Sequence, residues 1–330
     1  MNKTDRMHGI DFYRKAFISY LEEKTLSSEP RNLYEPITYI LLLGGKRLRP
    51  VLTMLSAEIF GTDYQKALDA AFAIEMFHNF SLVHDDIMDA APLRRGKPTV
   101  HEKWDINTGI LSGDAMLITA YRLFENYHGD TFKNLAKLFS KTALQVCEGQ
   151  QYDIDFEDTD TVTLKEYLTM IEYKTAVLVA AALKMGAIIA EASDNDQDKI
   201  YDFGLNLGIA FQLQDDYLDA FGDPKTFGKQ VGGDIIANKK TFLYVNVLEN
   251  GTPQQVKELL DMYSIQPQNP ADKINAIKEI FEESGSVAST QLAIATYTEK
   301  AFEVLETLNI SVEKKKVLQT FGETLMKRRV

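Results

Sequence analysis

Apolar residues recur along this chain at three- and four-residue spacing, and period-two runs bounded by turn signals are nearly absent. The segments 34–61 (YEPITYILLLGGKRLRPVLTMLSAEIFG), 67–90 (ALDAAFAIEMFHNFSLVHDDIMDA) and 134–154 (NLAKLFSKTALQVCEGQQYDI) show the spacing best. The pattern predicts an all-α protein. Stretches 71–83 (AFAIEMFHNFSLV) and 203–214 (FGLNLGIAFQLQ) are apolar on nearly every side, as central helices of a bundle are. Glycine and proline punctuate the helices at 42–50 (LLGGKRLRP), 90–99 (AAPLRRGKPT) and 221–234 (FGDPKTFGKQVGGD). Cap signals open new helices within 157–167 (EDTDTVTLKEY) and 250–260 (NGTPQQVKELL). The acid-rich run 153–160 (DIDFEDTD) reads as a solvated loop, and the more polar region after about residue 250 as peripheral. With no repeat, low-complexity tract or linker before that point, one domain over residues 1–330 is expected.

Composition narrows the class. Hydrophobic residues are 45% and charged residues 25%, the balance of a folded globular chain. A net charge of −12 argues against a nucleic-acid surface, so any basic cluster is a local departure. The single cysteine, Cys147, cannot form an internal disulfide and fits a reducing cytoplasm. The N-terminal run lacks a signal-peptide core, and Lys184 interrupts the apolar stretch 175–190, so no stable membrane insertion is expected.

Two aspartate motifs carry the chemistry. LVHDDIMD holds Asp85, Asp86 and Asp89, and FQLQDDYLD holds Asp215, Asp216 and Asp219. On a helix, residues four apart share a face, so Asp85 pairs with Asp89 and Asp215 with Asp219. Shielded from water, such like charges need a cation between them. Mg²⁺ suits, because it takes one or two carboxylates and completes its shell with water and substrate phosphate. Cationic side chains follow: Lys46, Arg47 and Arg49 in GGKRLRP, Arg94, Arg95 and Lys97 in LRRGK, Lys174 in an apolar helix, and Lys229, Lys239 and Lys240 after the second motif. Arginine forks onto phosphate and lysine acts as a point charge. Two metal-binding motifs and these cations suggest two diphosphates, one reached through metal and one held directly.

GGKRLRP, LVHDDIMD with RRGKPT, GQQYD, YKTA, FQLQDDYLD and GKQVGGDI with KKT stand in the order found in trans-isoprenyl diphosphate synthases, the polyprenyl synthetase group. The chain resembles that family strongly over about residues 35–245, the expected catalytic core. The resemblance implies an isoprenoid synthase fold: a bundle of about ten or more mostly antiparallel helices around a central cavity. It implies that Asp85, Asp89 and Asp215 hold three Mg²⁺ ions on an allylic diphosphate, with Asp86, Asp216 and Asp219 in support. Arg94, Lys174, Lys229 and Lys239 would hold the same diphosphate. Lys46, Arg49, His78 and Arg95 would bind isopentenyl diphosphate. Thr175 and Gln214 would place oxygens beside the carbocation, with Gln150 and Asp153 behind them, and the C-terminal MKRRV resembles tails that close over the isopentenyl site. Isopentenyl diphosphate with dimethylallyl, geranyl or farnesyl diphosphate would be the substrates, and the enzyme a homodimer.

The resemblance implies that product length depends on the residues before Asp85. At about 100° per residue, Ser81 and Ile74 lie nearest the Asp85 face, Phe77 at its margin and Phe80 well off it. The resemblance instead points to Phe80, with small Ser81 beside it, as the floor of a geranylgeranyl-type pocket. A C20 product is expected, with C15 as the alternative. Two other readings are a class I terpene cyclase and a non-catalytic subunit. The first has no use for Lys46, Arg49 and Arg95; the second would have lost carboxylates that are present here.

Overall fold

The structure, a computed structural model, describes residues 8–24, 28–159, 161–223, 231–265, 267 and 269–327. Helix dominates, as the spacing predicts; the strands among the described residues are a two-residue pair, Leu93–Arg94 against Lys97–Pro98. In chain order the helices are α1 (Ile10–Lys24), α2 (Arg31–Leu42), α3 (Leu48–Ile59), α4 (Leu68–Met88), α5 (Val100–Lys103), α6 (Ile106–Leu123), α7 (Gly129–Glu157) and α8 (Leu164–Ile171). There follow α9 (Val177–Ile189), α10 (Asp194–Phe221), α11 (Gly233–Ile236), α12 (Phe242–Asn250), α13 (Pro253–Tyr263), α14 (Pro270–Glu283), α15 (Ser286–Glu306) and α16 (Val312–Met326). No helix among the described residues is long and apolar enough to cross a membrane.

Contacts sort the chain into two compact units, residues 1–143 with 181–198, and residues 144–180 with 199–330. In the first unit, α4 buries a continuous run from Ala70 to Phe77, as a helix apolar on all sides must. Phe77 and Phe124 each meet Phe139 edge-on, with centroids 5.3 and 5.1 Å away. Helix α9 crosses α3 at backbone distance: a Cβ on Gly186 would sit 2.3 Å from the Thr53 carbonyl oxygen, and Ser56 Oγ donates to the Leu183 carbonyl at 2.6 Å.

In the second unit, Tyr167, Ile171, Leu213, Phe242 and Tyr244 share one buried cluster with Leu259, Ile277 and Phe281 from the polar region beyond residue 250. The cap signals are met: Thr163 with Glu166 and Thr252 with Gln255 each form a reciprocal capping box. The solvated-loop reading of 153–160 is corrected, because α7 runs on to Glu157. Ion pairs hold that acidic end in helix: Asp153 with Lys174 at 2.6 Å, and Glu157 with Lys239 at 2.8 Å.

Candidate active site

The first aspartate motif lies at the C-terminal end of α4. The helix stops at Met88, but the Asp89 amide still donates to the Asp85 carbonyl at 2.8 Å, so the two residues stay one turn apart. Ala90, left-handed at φ 48°, turns the chain away, and the Ala91 amide closes on the Asp86 carbonyl at 2.9 Å. Asp89 is exposed, Asp85 half-buried and Asp86 buried. Asp86 faces inward, where Arg94 forks onto it: Nε and Nη2 lie 2.8 and 2.6 Å from Oδ1. One motif thus has two roles, with Asp85 and Asp89 toward solvent and Asp86 fixing the hairpin that carries Arg94 and Arg95.

The same unit builds a cationic cluster from Arg49, His78, Arg94, Arg95 and Arg47. Arg95 Nη1 donates to the Gly44 carbonyl, and its guanidinium covers Gly45, where a Cβ would come within 2.8 Å of Cζ. With φ at +118°, Gly45 is glycine for both reasons. Burial pushes the Arg49 guanidinium down to about 10 against the opposing pull of Glu75. Arg49 Nε is buried with no hydrogen-bond partner. Burial, and then Arg49 and Arg95, push His78 well below its ordinary value, so its imidazole is neutral at pH 7. Lys46 is exposed on the same loop.

In the second unit the backbone does something no local sequence signal announces. Between α8 and α9 the segment Glu172–Ala176 (EYKTA) winds as a single π turn. Such turns widen the helix by a residue and recur at functional sites. It carries Lys174 and Thr175 into a cavity of about 170 Å³ lined also by Asp153, Tyr167, Gln212, Asp216 and Lys239. Asp153 joins two of the cations, at 2.6 Å from Lys174 Nζ and 3.4 Å from Lys239 Nζ. Burial alone would raise its carboxyl; Lys174 and Lys239 outweigh that and hold it below the ordinary value. Lys240 donates to the carbonyls of Phe156 and Glu157 at the end of α7, at 2.6 and 3.0 Å.

The second motif lies within α10. Asp216 is buried, accepts from Tyr167 Oη and from Gln212 Nε2 at 2.9 Å, and is pushed up to about 8 by burial and then by Asp234. Asp219 accepts from the Asp234 amide at 2.9 Å through its carboxylate and from the Gly232 amide at 2.6 Å through its carbonyl, anchoring the start of α11. Asp215 is half-buried. Among the described residues, no three His, Cys, Asp or Glu side chains form a cage that could hold a metal alone. The donor set fits Mg²⁺ in another way: carboxylates that supply one or two oxygens and leave the remaining positions to water and phosphate.

A family model for polyprenyl synthetases matches residues 30–281. The chain belongs to the polyprenyl synthetase family. It is 36% identical over 301 residues to a geranylgeranyl diphosphate synthase of Methanosarcina mazei, covering 91% of each chain. A geranylfarnesyl diphosphate synthase of Natronomonas pharaonis is 34% identical over 307 residues, covering 87% of this chain and 88% of that one. A crystal structure of a geranylgeranyl pyrophosphate synthase superposes with a TM-score of 0.94 at 54% identity, covering 98% of this chain and 100% of that one. This polyprenyl synthetase is a trans-prenyltransferase with the isoprenoid synthase fold, in a family that uses isoprenyl diphosphates and is generally Mg²⁺-dependent.

Against the residues singled out from sequence, the first unit of the polyprenyl synthetase gathers Arg49, His78, Arg94 and Arg95, and the second gathers Lys174, Thr175 and Lys239. Lys229 and the last three residues of MKRRV lie outside the described residues. Gln214 does not line the cavity: its Nε2 donates to the Met326 carbonyl at 2.8 Å, and Gln212 is the residue beside Thr175, at 3.3 Å. Gln212, Tyr167 and Asp234 were not found by sequence reasoning. For Gln212 a signal existed, since it stands four residues before Asp216 on one helix face. Gln150 is buried with neither amide atom paired. Phe80 packs on Phe77 and His84, with centroids 5.4 and 4.7 Å away, and Ser81 Oγ donates to the His78 carbonyl at 2.9 Å.

Proposed function

We propose that this enzyme condenses isopentenyl diphosphate with allylic diphosphates and releases a C20 product, geranylgeranyl diphosphate. The observation that carries this reading is the cationic cluster of the first unit, with its buried, unpartnered Arg49 Nε and with His78 on the same helix, α4, as Asp85. A terpene cyclase handles one diphosphate and has no use for a second anion site. Here Lys46, Arg49, His78 and Arg95 bind the isopentenyl diphosphate without metal, guanidinium to phosphate. Asp85, Asp89 and Asp215 would hold Mg²⁺, three ions by family resemblance, for the allylic diphosphate, and Lys174 and Lys239 would grip its outer oxygens.

When bound, the metal withdraws charge from the leaving diphosphate. The allylic C–O bond then breaks with its electron pair going to the diphosphate, and Lys174 stabilises that developing charge. The Thr175 hydroxyl, held beside Gln212, offers an oxygen to the allylic cation. The isopentenyl double bond attacks, forming a C–C bond, and a proton passes to the departed diphosphate as the new double bond closes. Apolar walls keep water from the cation.

The C20 length is supported by the names of the relatives and by Phe80 before the first motif. Phe80→Ala is expected to lengthen the products made from farnesyl diphosphate to C25 and beyond, read by mass spectrometry. An unchanged profile removes Phe80 from the role. Exposed Ile106, Ile110, Leu111 and Ile118 on α6 support a homodimer, and the lone exposed Cys147 supports a cytoplasmic site of action. Incubation of pure protein with Mg²⁺, isopentenyl diphosphate and each allylic diphosphate from C5 to C15 tests the whole reading. A C20 diphosphate is expected, and failure to consume isopentenyl diphosphate with any of them overturns it.

A further inference from the structure

Arg47 and Glu75 are charged residues in places where neither can touch a substrate. Arg47 stands between Lys46 and Arg49 in GGKRLRP, and Glu75 is the acid within the apolar run 71–83. Both side chains are 3% exposed, and Arg47 Nη1 lies 2.5 Å from Glu75 Oε1. The other arm, Nη2, donates to the Leu41 carbonyl in the last turn of α2. Asn79 Nδ2 completes the group, donating to the Glu75 carbonyl at 2.7 Å and to Oε1 at 3.3 Å. One guanidinium therefore ties together the end of α2, the start of α3 and the middle of α4.

Stability alone is a poor reason for this arrangement. A buried ion pair gives up two hydration shells and is often no better than apolar side chains of equal volume. The backbone adds a cost, because Arg47 is the N-cap of α3 in the left-handed region at φ 51°, where a residue with a Cβ is strained. Position explains what stability does not. The strained residue separates Lys46 from Arg49, so the pair that fixes Arg47 fixes the loop before it and the first turn of α3 after it. Charge points the same way: Glu75 is the carboxylate that offsets Arg49, and with Asp86 it offsets Arg95.

We infer that the buried Arg47–Glu75 pair is a positioning element for the isopentenyl diphosphate site, setting the conformation and charge balance of Lys46, on the loop before α3, and of Arg49, in the first turn of α3. This rests on the proposed assignment of Lys46 and Arg49 to isopentenyl diphosphate. Steady-state kinetics with each substrate varied in turn tests it on Glu75→Gln, Arg47→Lys and Arg49→Gln. Glu75→Gln is expected to raise KM for isopentenyl diphosphate about tenfold or more and to leave KM for farnesyl diphosphate within about twofold. Arg47→Lys keeps the charge, loses the second arm and folds more readily; the same split is expected, at about threefold to tenfold.

A purely structural pair would lower the melting temperature and leave both KM values in place, and that result overturns the inference. So does an equal rise in both. Arg49→Gln separates the two levels. If it raises KM for isopentenyl diphosphate while Glu75→Gln and Arg47→Lys do not, the positioning role alone fails. If it leaves that KM unchanged, the substrate assignment fails and the inference with it.

Discussion

Asp85→Asn and Asp215→Asn are each expected to lower kcat about a thousandfold while leaving the fold intact. Asparagine has the shape of aspartate but not its charge, and both positions are half-buried. The loss should come from Mg²⁺ and the diphosphate it carries, so the Mg²⁺ concentration giving half-maximal rate should rise in both variants. Asp219→Asn makes the contrast. Its carboxylate accepts from the Asp234 amide in the first turn of α11, so the substitution is expected to cost about 1 kcal/mol of stability, seen as a lower melting temperature. An Asp85→Asn enzyme with near wild-type kcat, or one that loses activity only by unfolding, would refute the ligand role.

Gly149→Ala is expected to disable the π turn that presents Lys174 and Thr175. Helix α7 passes the turn at backbone distance: a Cβ on Gly149 would lie 2.2 Å from the Lys174 amide nitrogen and 2.7 Å from its Cα. On the other side, a Cβ on Gly208 of α10 would lie 2.8 Å from the Ala176 Cα. The turn is clasped between two glycines, and neither obstacle is a side chain that could swing aside. Overpacking of this kind costs about 1–3 kcal/mol, and a displacement of about 1 Å at reacting groups costs about a hundredfold in rate. Gly149→Ala should therefore lose about a hundredfold in kcat and melt earlier, with KM for isopentenyl diphosphate, whose proposed site is Lys46, Arg49, His78 and Arg95, little changed. A Gly149→Ala enzyme with normal kcat would show that the close approach has no bearing on Lys174.

What sequence revealed here and what it hid follow from the range of the forces involved. The helices announced themselves through spacing, and the aspartate motifs through short-range repetition of like charge, which is improbable without a cation. GGKRLRP was legible as a basic break, but Arg47 and Arg49 look alike in sequence; only tertiary packing makes one an ion-pair partner buried under α4 and leaves the other with an unpaired Nε. The π turn has no local signature, because its extra residue is stabilised by glycines about 25 residues before it and about 30 after it. The acidic end of α7 read as a loop for a related reason: the lysines that stabilise it come from residues 174, 239 and 240. Gln214 was named through the family resemblance, while helical periodicity puts Gln212 on the face of Asp216 that lines the cavity.

The central claim is that the two aspartate motifs serve one allylic diphosphate through shared Mg²⁺. A crystal structure of the protein soaked with Mn²⁺ and an uncleavable thio-analogue of farnesyl diphosphate tests it most directly, with anomalous scattering locating the metal. The expected map has manganese ions bonded to carboxylate oxygens of Asp85 and Asp215 and to oxygens of the same diphosphate. Manganese at only one motif, or a diphosphate bound without contact to either, would contradict it.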